Sequence, residues 1–454
     1  MKKHNIYNIV SCSIILFFTS CMKDFLDVKR DKSQVIPTAL IDYQAILDHN
    51  NLTYYYSYLL GEIASDDYFI SADQWNGLSN AVHKNAYIWA DDVYQGEKGE
   101  DWNRAYEKIL HANLVIEGLE KITKNELNRG LYQEILGAAH YYRGLNFFIL
   151  SQLYCKQFNE LTATSSLGLP LKLSSNINEK LSRSNLHQTY EQIVSDLNIA
   201  ALNLPEQVAV NTRPNKLAAW AMLSNVYLQK KDYLQAKLNA DSVITLNSNL
   251  INYNDINVNA TIPFPVYAQG NKEVLHYTHM SNAAILSTVR LCVDTNLYDS
   301  YTANDLRKSA FFRAVGQYYT FKGHYSGTTT VMFSGVTTAE MLLVRAECNT
   351  RMMNIDQAVS DMNLLLMNRY KTNTYVPIVG GIDQQELLNK ILSERRKELI
   401  FRGRRWSDLK RSDNESLSLR RILGDKEYVL RKGSPQWVFQ LPPEVVKLGG
   451  YEQN

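Results

Sequence analysis

The feature that most limits the fold is a paired helical pattern that recurs along the chain from Trp102. Trp102, Tyr106, Ile109, Leu110, Asn113 and Ile116 fall at steps of three and four, and Leu136, Ala139, Tyr142, Arg143, Leu145, Phe148 and Leu153 repeat the step. Each set therefore lies on one face of a helix. Leu217 to Leu228 pairs in the same way with Asp232 to Ala240, and Met341 to Glu347 with Asp356 to Leu365. A further helix over Thr189 to Ala201 stops at Leu204-Pro205, since proline cannot continue it.

Small residues where the helices would cross, bulky ones between them and a short turn near Asp or Asn resemble the tetratricopeptide helix pair. The spacings vary and long insertions separate the units, so these are degenerate pairs and not a clean solenoid. The expected fold class is mainly α, with loop-rich insertions and a few short strands. Val274-Leu275-His276-Tyr277 and Tyr318 to Lys322 read as strands. The odd offset between His276 and His279 points them to opposite faces of a strand, which argues against a metal pair.

Charge is densest at Glu394 to Arg411, ERRKELIFRGRRWSDLKR, where eight Lys or Arg residues face three acids. Leu387, Leu388, Ile391, Leu392, Arg395, Leu399 and Arg402 recur at helical steps. They predict an amphipathic helix ended by Gly403 as its C-cap. Trp406 and Leu409 then form an apolar anchor, with Glu394, Glu398 and Asp408 in reach of Arg395, Arg404, Arg405 and Arg411 for fork-to-carboxylate pairing. A phosphate-binding patch is the competing use of such a run. The formal net charge of the whole chain is only +2, which argues against a polyanion held by the whole surface, and no nucleic-acid partner is expected.

At the start of the chain, Lys2 and Lys3 precede an apolar run over residues 9–18, and Phe18-Thr19-Ser20-Cys21 resembles a loose lipobox. Residues 1–20 read as a lipoprotein signal peptide, Cys21 as the lipidated residue, and 21–35 as a polar tether to a first helix over Ile36 to Asn50. The apolar run is shorter than the ~20 residues that span a bilayer, so the expected membrane attachment is a lipid anchor. Of the cysteines at 12, 21, 155, 292 and 348 none forms C-x-x-C, so neither a zinc site nor a disulfide framework is expected.

With 29 Tyr against 14 Phe, the chain is rich in rings that carry a polar tip. Between Asp66 and Gly99, Trp75, Tyr87, Trp89 and Tyr94 are mixed with Asp66, Asp67, Asp73, Asp91 and Asp92 without a clear period, which predicts irregular chain. That mixture suits sugars. A pyranose stacks its C–H face on a ring, worth roughly 0.5–1.5 kcal/mol by analogy with ring pairs, and carboxylates take its hydroxyls. Trp75, Trp89, Tyr94 and Asp73 are the candidate ligand-binding residues; the alternative use of these rings is to cover a core edge. No G-x-S-x-G, H-E-x-x-H, Walker loop or G-x-G-x-x-G occurs. Neighbouring acids such as Asp66-Asp67 usually point apart, whereas glycoside hydrolysis needs two carboxyls flanking one bond. Neither an enzyme, a cofactor nor a metal is expected.

Several of these stations together resemble the SusD/RagB family of nutrient-binding outer-membrane lipoproteins. The run E-R-R-x-E-L-x-F-x-G-x-R-W-x-D-L-x-R is similar to its C-terminal signature, although Arg402 stands where an acid is more usual. Trp102, Tyr106, Ile109 and Asn113 resemble its W-Y-I-N helix, and Arg143-Gly144, Gly168-Leu169-Pro170, Arg183-Ser184 and Lys216 to Leu223 resemble the stations that follow. The resemblance implies a SusD-like fold with four tetratricopeptide-like pairs in a single domain over 36–454, its N-terminal part about 36–245 and its C-terminal part about 246–454. It also implies a ligand site on outward loops and a SusC-type TonB-dependent outer-membrane transporter as partner, on the exterior face of the outer membrane. The family's ligand residues follow no fixed motif, so none is carried over. The expected function is to bind an oligosaccharide or other glycan and deliver it to that transporter; peptide cargo and a purely protein-binding scaffold stay open as alternatives.

Overall fold

The computed structural model describes residues 37–49, 55–56, 58–266 and 270–454. The leader, Cys21, the tether and the expected helix ends Ile36 and Asn50 lie outside these residues. The described part opens with α1 (Leu40–Leu47), α2 (Leu59–Ala64) and two short helices, α3 (Ala72–Asn76) and α4 (Ala81–Tyr87). Sequence predicts irregular chain for the last two. They form because Ser71 and Asn80 accept the amides of Gln74 and His83 as N-caps, a local signal that the mixture of rings and acids hides.

The long helices follow the apolar period. α5 (Glu100–Leu119) pairs with α6 (Arg129–Tyr154), α7 (Leu186–Asn203) lies on α6, and α8 (Lys216–Lys230) pairs with α9 (Tyr233–Leu246). A loop-rich segment carries α10 (Thr295–Asp299) and α11 (Arg307–Phe311). After it, α12 (Thr338–Arg351) pairs with α13 (Ile355–Met367) and also packs on α9 and α14 (Gln384–Glu398). α15 (Arg405–Arg411) and α16 (Pro443–Gly449) complete the helices. Asn185, Asn215, Asp232 and Thr337 each accept an amide one turn on, so the starts of α7, α8, α9 and α12 are written in the sequence. Asn113 and Arg143 are scaffold. Arg143 donates to Asp196 at 3.0 and 2.7 Å and to Asn113 Oδ1 at 2.8 Å, tying α5, α6 and α7 together.

The strands are short and paired two by two. β1 (Tyr55–Tyr56) runs parallel to β4 (His279–Met280); the other pairs are antiparallel. They are β2 (Tyr68–Phe69) with β5 (Cys292–Val293), β3 (Val274–His276) with β8 (Val336–Thr337), β6 (Phe312–Val315) with β7 (Tyr318–Phe321), and β9 (Ser418–Leu423) with β10 (Lys426–Arg431). The His276 ring meets the Tyr141 hydroxyl at 2.9 Å and the Thr212 carbonyl at 3.2 Å, so it is spent on packing. Among the described residues no helix is long and apolar enough to cross a membrane.

The run at 394–411 departs from expectation in two ways. α14 ends at Glu398, with Leu399 as its cap, because the chain turns to bury Ile400 and Phe401. Gly403 sits just before α15 at φ +72°, where a Cβ would meet the Tyr58 Cβ at 2.7 Å. The pairing also differs. Inside the run Asp408 is shared by Arg395 at 2.8 Å and Arg411 at 2.8 Å, and Glu394 pairs with Lys397 at 2.6 Å. Glu394 is held by Lys397 and Arg307, and Glu398 by Arg307 and Arg369. Arg404 reaches Glu340 at 2.7 Å, and Arg405 reaches Asp66 at 2.6 and 2.8 Å. Arg307, Arg369, Glu340 and Asp66 lie far away in sequence, so the run clasps the fold together through buried and partly buried charge pairs. Trp406 anchors it against Trp437 and Phe439, 4.8 and 5.6 Å between ring centres.

Candidate functional site

Of the four candidate residues, two are core. Trp89 is 6 % exposed, and its Nε1–H donates to the Ala64 carbonyl at 2.9 Å, while the Arg421 guanidinium lies 5.2 Å from its ring. Tyr94 is 1 % exposed and shares a 2.8 Å hydrogen bond with the Tyr154 hydroxyl. Burial further raises the Tyr94 phenol above its ordinary range. Neither ring offers a face to a sugar, which corrects the expectation for both: their partners arrive from α2, α6 and β9, out of sight of the local sequence.

Trp75 and Asp73 keep their accessibility. Trp75 is half-buried on α3, donates its Nε1–H to the Lys84 carbonyl at 3.1 Å, and carries the Lys84 ammonium 4.6 Å from its ring centre. Asp73 is exposed two residues earlier. Asp66 and Asp67 are withdrawn from any ligand, since Arg405 and Arg396 hold them. Asp92 is spent on the Tyr94 and Gln95 amides.

Two ring pairs missed by the sequence reading meet at β7, one on each face of its hairpin, since Tyr318 and Tyr319 are successive strand residues. Phe69 leaves β2 and meets Tyr318 edge to face at 5.1 Å. Tyr298 of α10 stacks on Tyr319 of β7, with centres 3.6 Å apart and planes within 13°. All four are half-buried. Burial first, then the adjoining Tyr319 phenol, raises the pKa of Tyr298. The Lys308 ammonium lies 4.4 Å from the Tyr298 ring. β2 pairs with β5, β5 packs on β7, and Gln74 of α3 donates to the Val289 carbonyl at 3.1 Å just before β5. The available signal was Gly316-Gln317, a Gly-first two-residue turn between two aromatic runs, with Gly316 at φ +59°.

Beside α4 lies a cavity of about 590 Å³, whose wall includes Leu60, Asn80, His83, Tyr94 and Asp101. Burial raises the Asp101 carboxyl to about 6 against the lowering pull of the Leu60 amide it accepts at 3.1 Å. Burial likewise lowers the His83 pKa. Rings with accessible faces, an exposed carboxylate and a polar cavity on adjoining loops can hold a polyhydroxylated ligand by stacking and hydrogen bonds.

Comparison with known proteins agrees with this architecture. A family model described as starch-binding associating with outer membrane matches residues 24–228, and the SusD family model matches residues 220–432. SusD-like protein P2 of Formosa agariphila is 23 % identical over 386 residues, covering 72 % of this chain and 74 % of its own. A putative sugar binding protein from Bacteroides vulgatus superposes with a TM-score of 0.76 at 19 % identity, over 93 % of this chain and 99 % of its own. A SusD superfamily protein from Bacteroides thetaiotaomicron gives 0.74 at 20 % identity, over 92 % and 99 %. The fold is that of these structures, and, with the two family matches together spanning residues 24–432, the chain belongs to the SusD family.

Proposed function

We propose that this protein is a cell-surface lipoprotein, anchored through Cys21 to the outer membrane and facing outward, that binds an oligosaccharide and passes it to a SusC-type TonB-dependent transporter. The observation that carries the sugar reading is the two half-buried ring pairs on β7, Phe69 with Tyr318 and Tyr298 with Tyr319, together with α3, which carries Trp75 and Asp73 and is tied by Gln74 to the loop before β5. Half-buried phenols and an indole suit the apolar faces and rim hydroxyls of pyranoses. Family membership supports the same reading, as does the description of the Bacteroides vulgatus relative as a putative sugar binding protein. The protein binds and releases its cargo unchanged, with no cofactor or metal, and an affinity in the mM to μM range, about 4–8 kcal/mol, would suit a hand-over.

Retention on a panel of immobilised glycans tests this. Trp75→Ala and Tyr319→Ala are each expected to weaken binding by about two- to tenfold, the worth of one stacked ring. Unchanged retention in both variants would remove the ring pairs as the site, and retention of peptides in place of glycans would change the cargo. Shortened oligosaccharides after incubation with the purified protein would overturn the binder reading in favour of hydrolysis.

A further inference from the structure

A carboxylate buried without a cation stands in the wall of the cavity beside α4. Asp101, at the start of α5, is 5 % exposed and makes no ion pair among the described residues. Arg104, which pulls its pKa down, pairs instead with Glu100 at 3.8 Å. The Oδ2 of Asp101 accepts the Leu60 amide at 3.1 Å. Its Oδ1 has no hydrogen-bond partner among the described residues and, unlike the orphan oxygens of Glu62 and Asp67, it is not sealed off from solvent. Since nearly all of the side chain is buried, that opening faces the cavity it lines.

Burying a charge without a counter-charge is costly. The cost is visible here, because burial outweighs both the Leu60 amide and Arg104 and raises the carboxyl to about 6. At pH 7 the group is still mainly ionised, and an ammonium in the cavity would answer it. The rest of the wall has the same bias. Glu97 and Glu100 line the space of about 590 Å³ against one ammonium, Lys98. Burial lowers the His83 pKa, so that imidazole is neutral at pH 7, and its ring makes no hydrogen bond among the described residues, which leaves a nitrogen lone pair to accept an N–H. Leu60 and Val82 supply an apolar side, and the volume is within the range of small-ligand sites.

We propose that this cavity binds the ammonium group of a small ligand, received by the Oδ1 of Asp101, with the ligand's apolar side against Leu60 and Val82. The amine comes from an amino sugar or from a simple alkylamine. The proposal does not rest on the ring pairs.

Titration calorimetry of the full-length protein at pH 7 and low salt, with glucosamine, N-acetylglucosamine and cyclohexylamine as probes, tests this. Glucosamine should bind at least about tenfold more tightly than N-acetylglucosamine, which keeps the sugar ring and loses the charge, and the preference should shrink as ionic strength rises. Cyclohexylamine binding as tightly as glucosamine would place recognition in the ammonium alone; glucosamine without cyclohexylamine would identify an amino sugar. Asp101→Asn keeps the shape and still offers a carbonyl to the Leu60 amide, and it is expected to weaken glucosamine binding about tenfold. Glu97→Lys puts an ammonium on the wall at an exposed loop position, where folding tolerates it, and is expected to weaken binding about threefold. Retention of neutral glycans reports on the rings, so that reading stands or falls separately. N-acetylglucosamine binding as tightly as glucosamine, binding of neither amine, or affinities untouched by both wall variants would overturn the proposal.

Discussion

Glu398→Gln is the sharpest test of the clasp. Glu398 is fully buried between two guanidinium groups. Arg369 donates to it at 2.9 and 3.1 Å, and Arg307 at 3.2 Å. Burial by itself would raise the carboxyl, but Arg369 and Arg307 outweigh it and bring the pKa from 4.5 down to about 2. At ~1.36 kcal/mol per unit that shift is worth about 3 kcal/mol. The amide keeps the shape and loses the charge. Arg369 retains Glu273, and Arg307 retains Asp305 and Glu394, so the loss should sit at the lower end of the roughly 3–5 kcal/mol seen when a buried pair is broken. Urea unfolding at pH 7, followed by tryptophan fluorescence, should show a loss of about 3 kcal/mol. The depressed pKa fixes the sign with pH: the contribution of Glu398 is present above 4.5 and lost as pH falls toward 2, so the gap between wild type and variant should close over that window. Glu427→Gln provides the contrast. Its pair with Arg420 has side chains 45 and 64 % exposed, and its loss should cost under about 0.5 kcal/mol. A loss at Glu398 as small as at Glu427, or a gap independent of pH, would refute the reasoning.

Two further outcomes follow from burial. Burial, with Asp67 second, raises the Glu62 carboxyl to about 8, so its contribution is present below about 4.5 and lost as pH rises through 8. Wild-type stability should therefore fall between pH 5 and 9 by up to about 5 kcal/mol relative to Glu62→Gln, whose neutral side chain can still accept the Gly403 amide. Trp89→Ala should lower the unfolding free energy by about 3–5 kcal/mol, as a core deletion does, and Trp75→Ala by much less, since that ring is half-buried; equal losses would mean that the core assignment of Trp89 is wrong.

The long helices were legible because their evidence is local. A 3.6-residue period is written in the segment itself, and for α7, α8, α9 and α12 so is an Asn, Asp or Thr cap. The clasp was legible as a scaffold but not in its wiring, because Asp66, Glu273, Arg307, Glu340 and Arg369 join it from distant stretches. For the same reason Trp75 and Trp89 could not be told apart. Each is a tryptophan in a mixed run, and what separates them is the Ala64 carbonyl and Arg421, which approach only in the fold. The two ring pairs were hidden because each joins β7 to a ring from a distant segment, Phe69 of β2 or Tyr298 of α10.

Clasp and ring pairs are mechanically linked, so the run that holds the scaffold also positions the proposed ligand site. Arg396 holds Asp67 at 2.8 Å, and Arg405 holds Asp66 at 2.6 Å. Those aspartates stand immediately before β2, so the same contacts fix the strand that carries Phe69. The Asp67 carbonyl in turn accepts the Asp294 amide at 2.9 Å, and Asp294 caps α10, which presents Tyr298. Both ring pairs are thus referenced to two arginines of the 394–411 run. Replacing a ring should leave that frame in place, because Arg396 and Arg405 act on Asp67 and Asp66 ahead of β2 and not on the rings themselves.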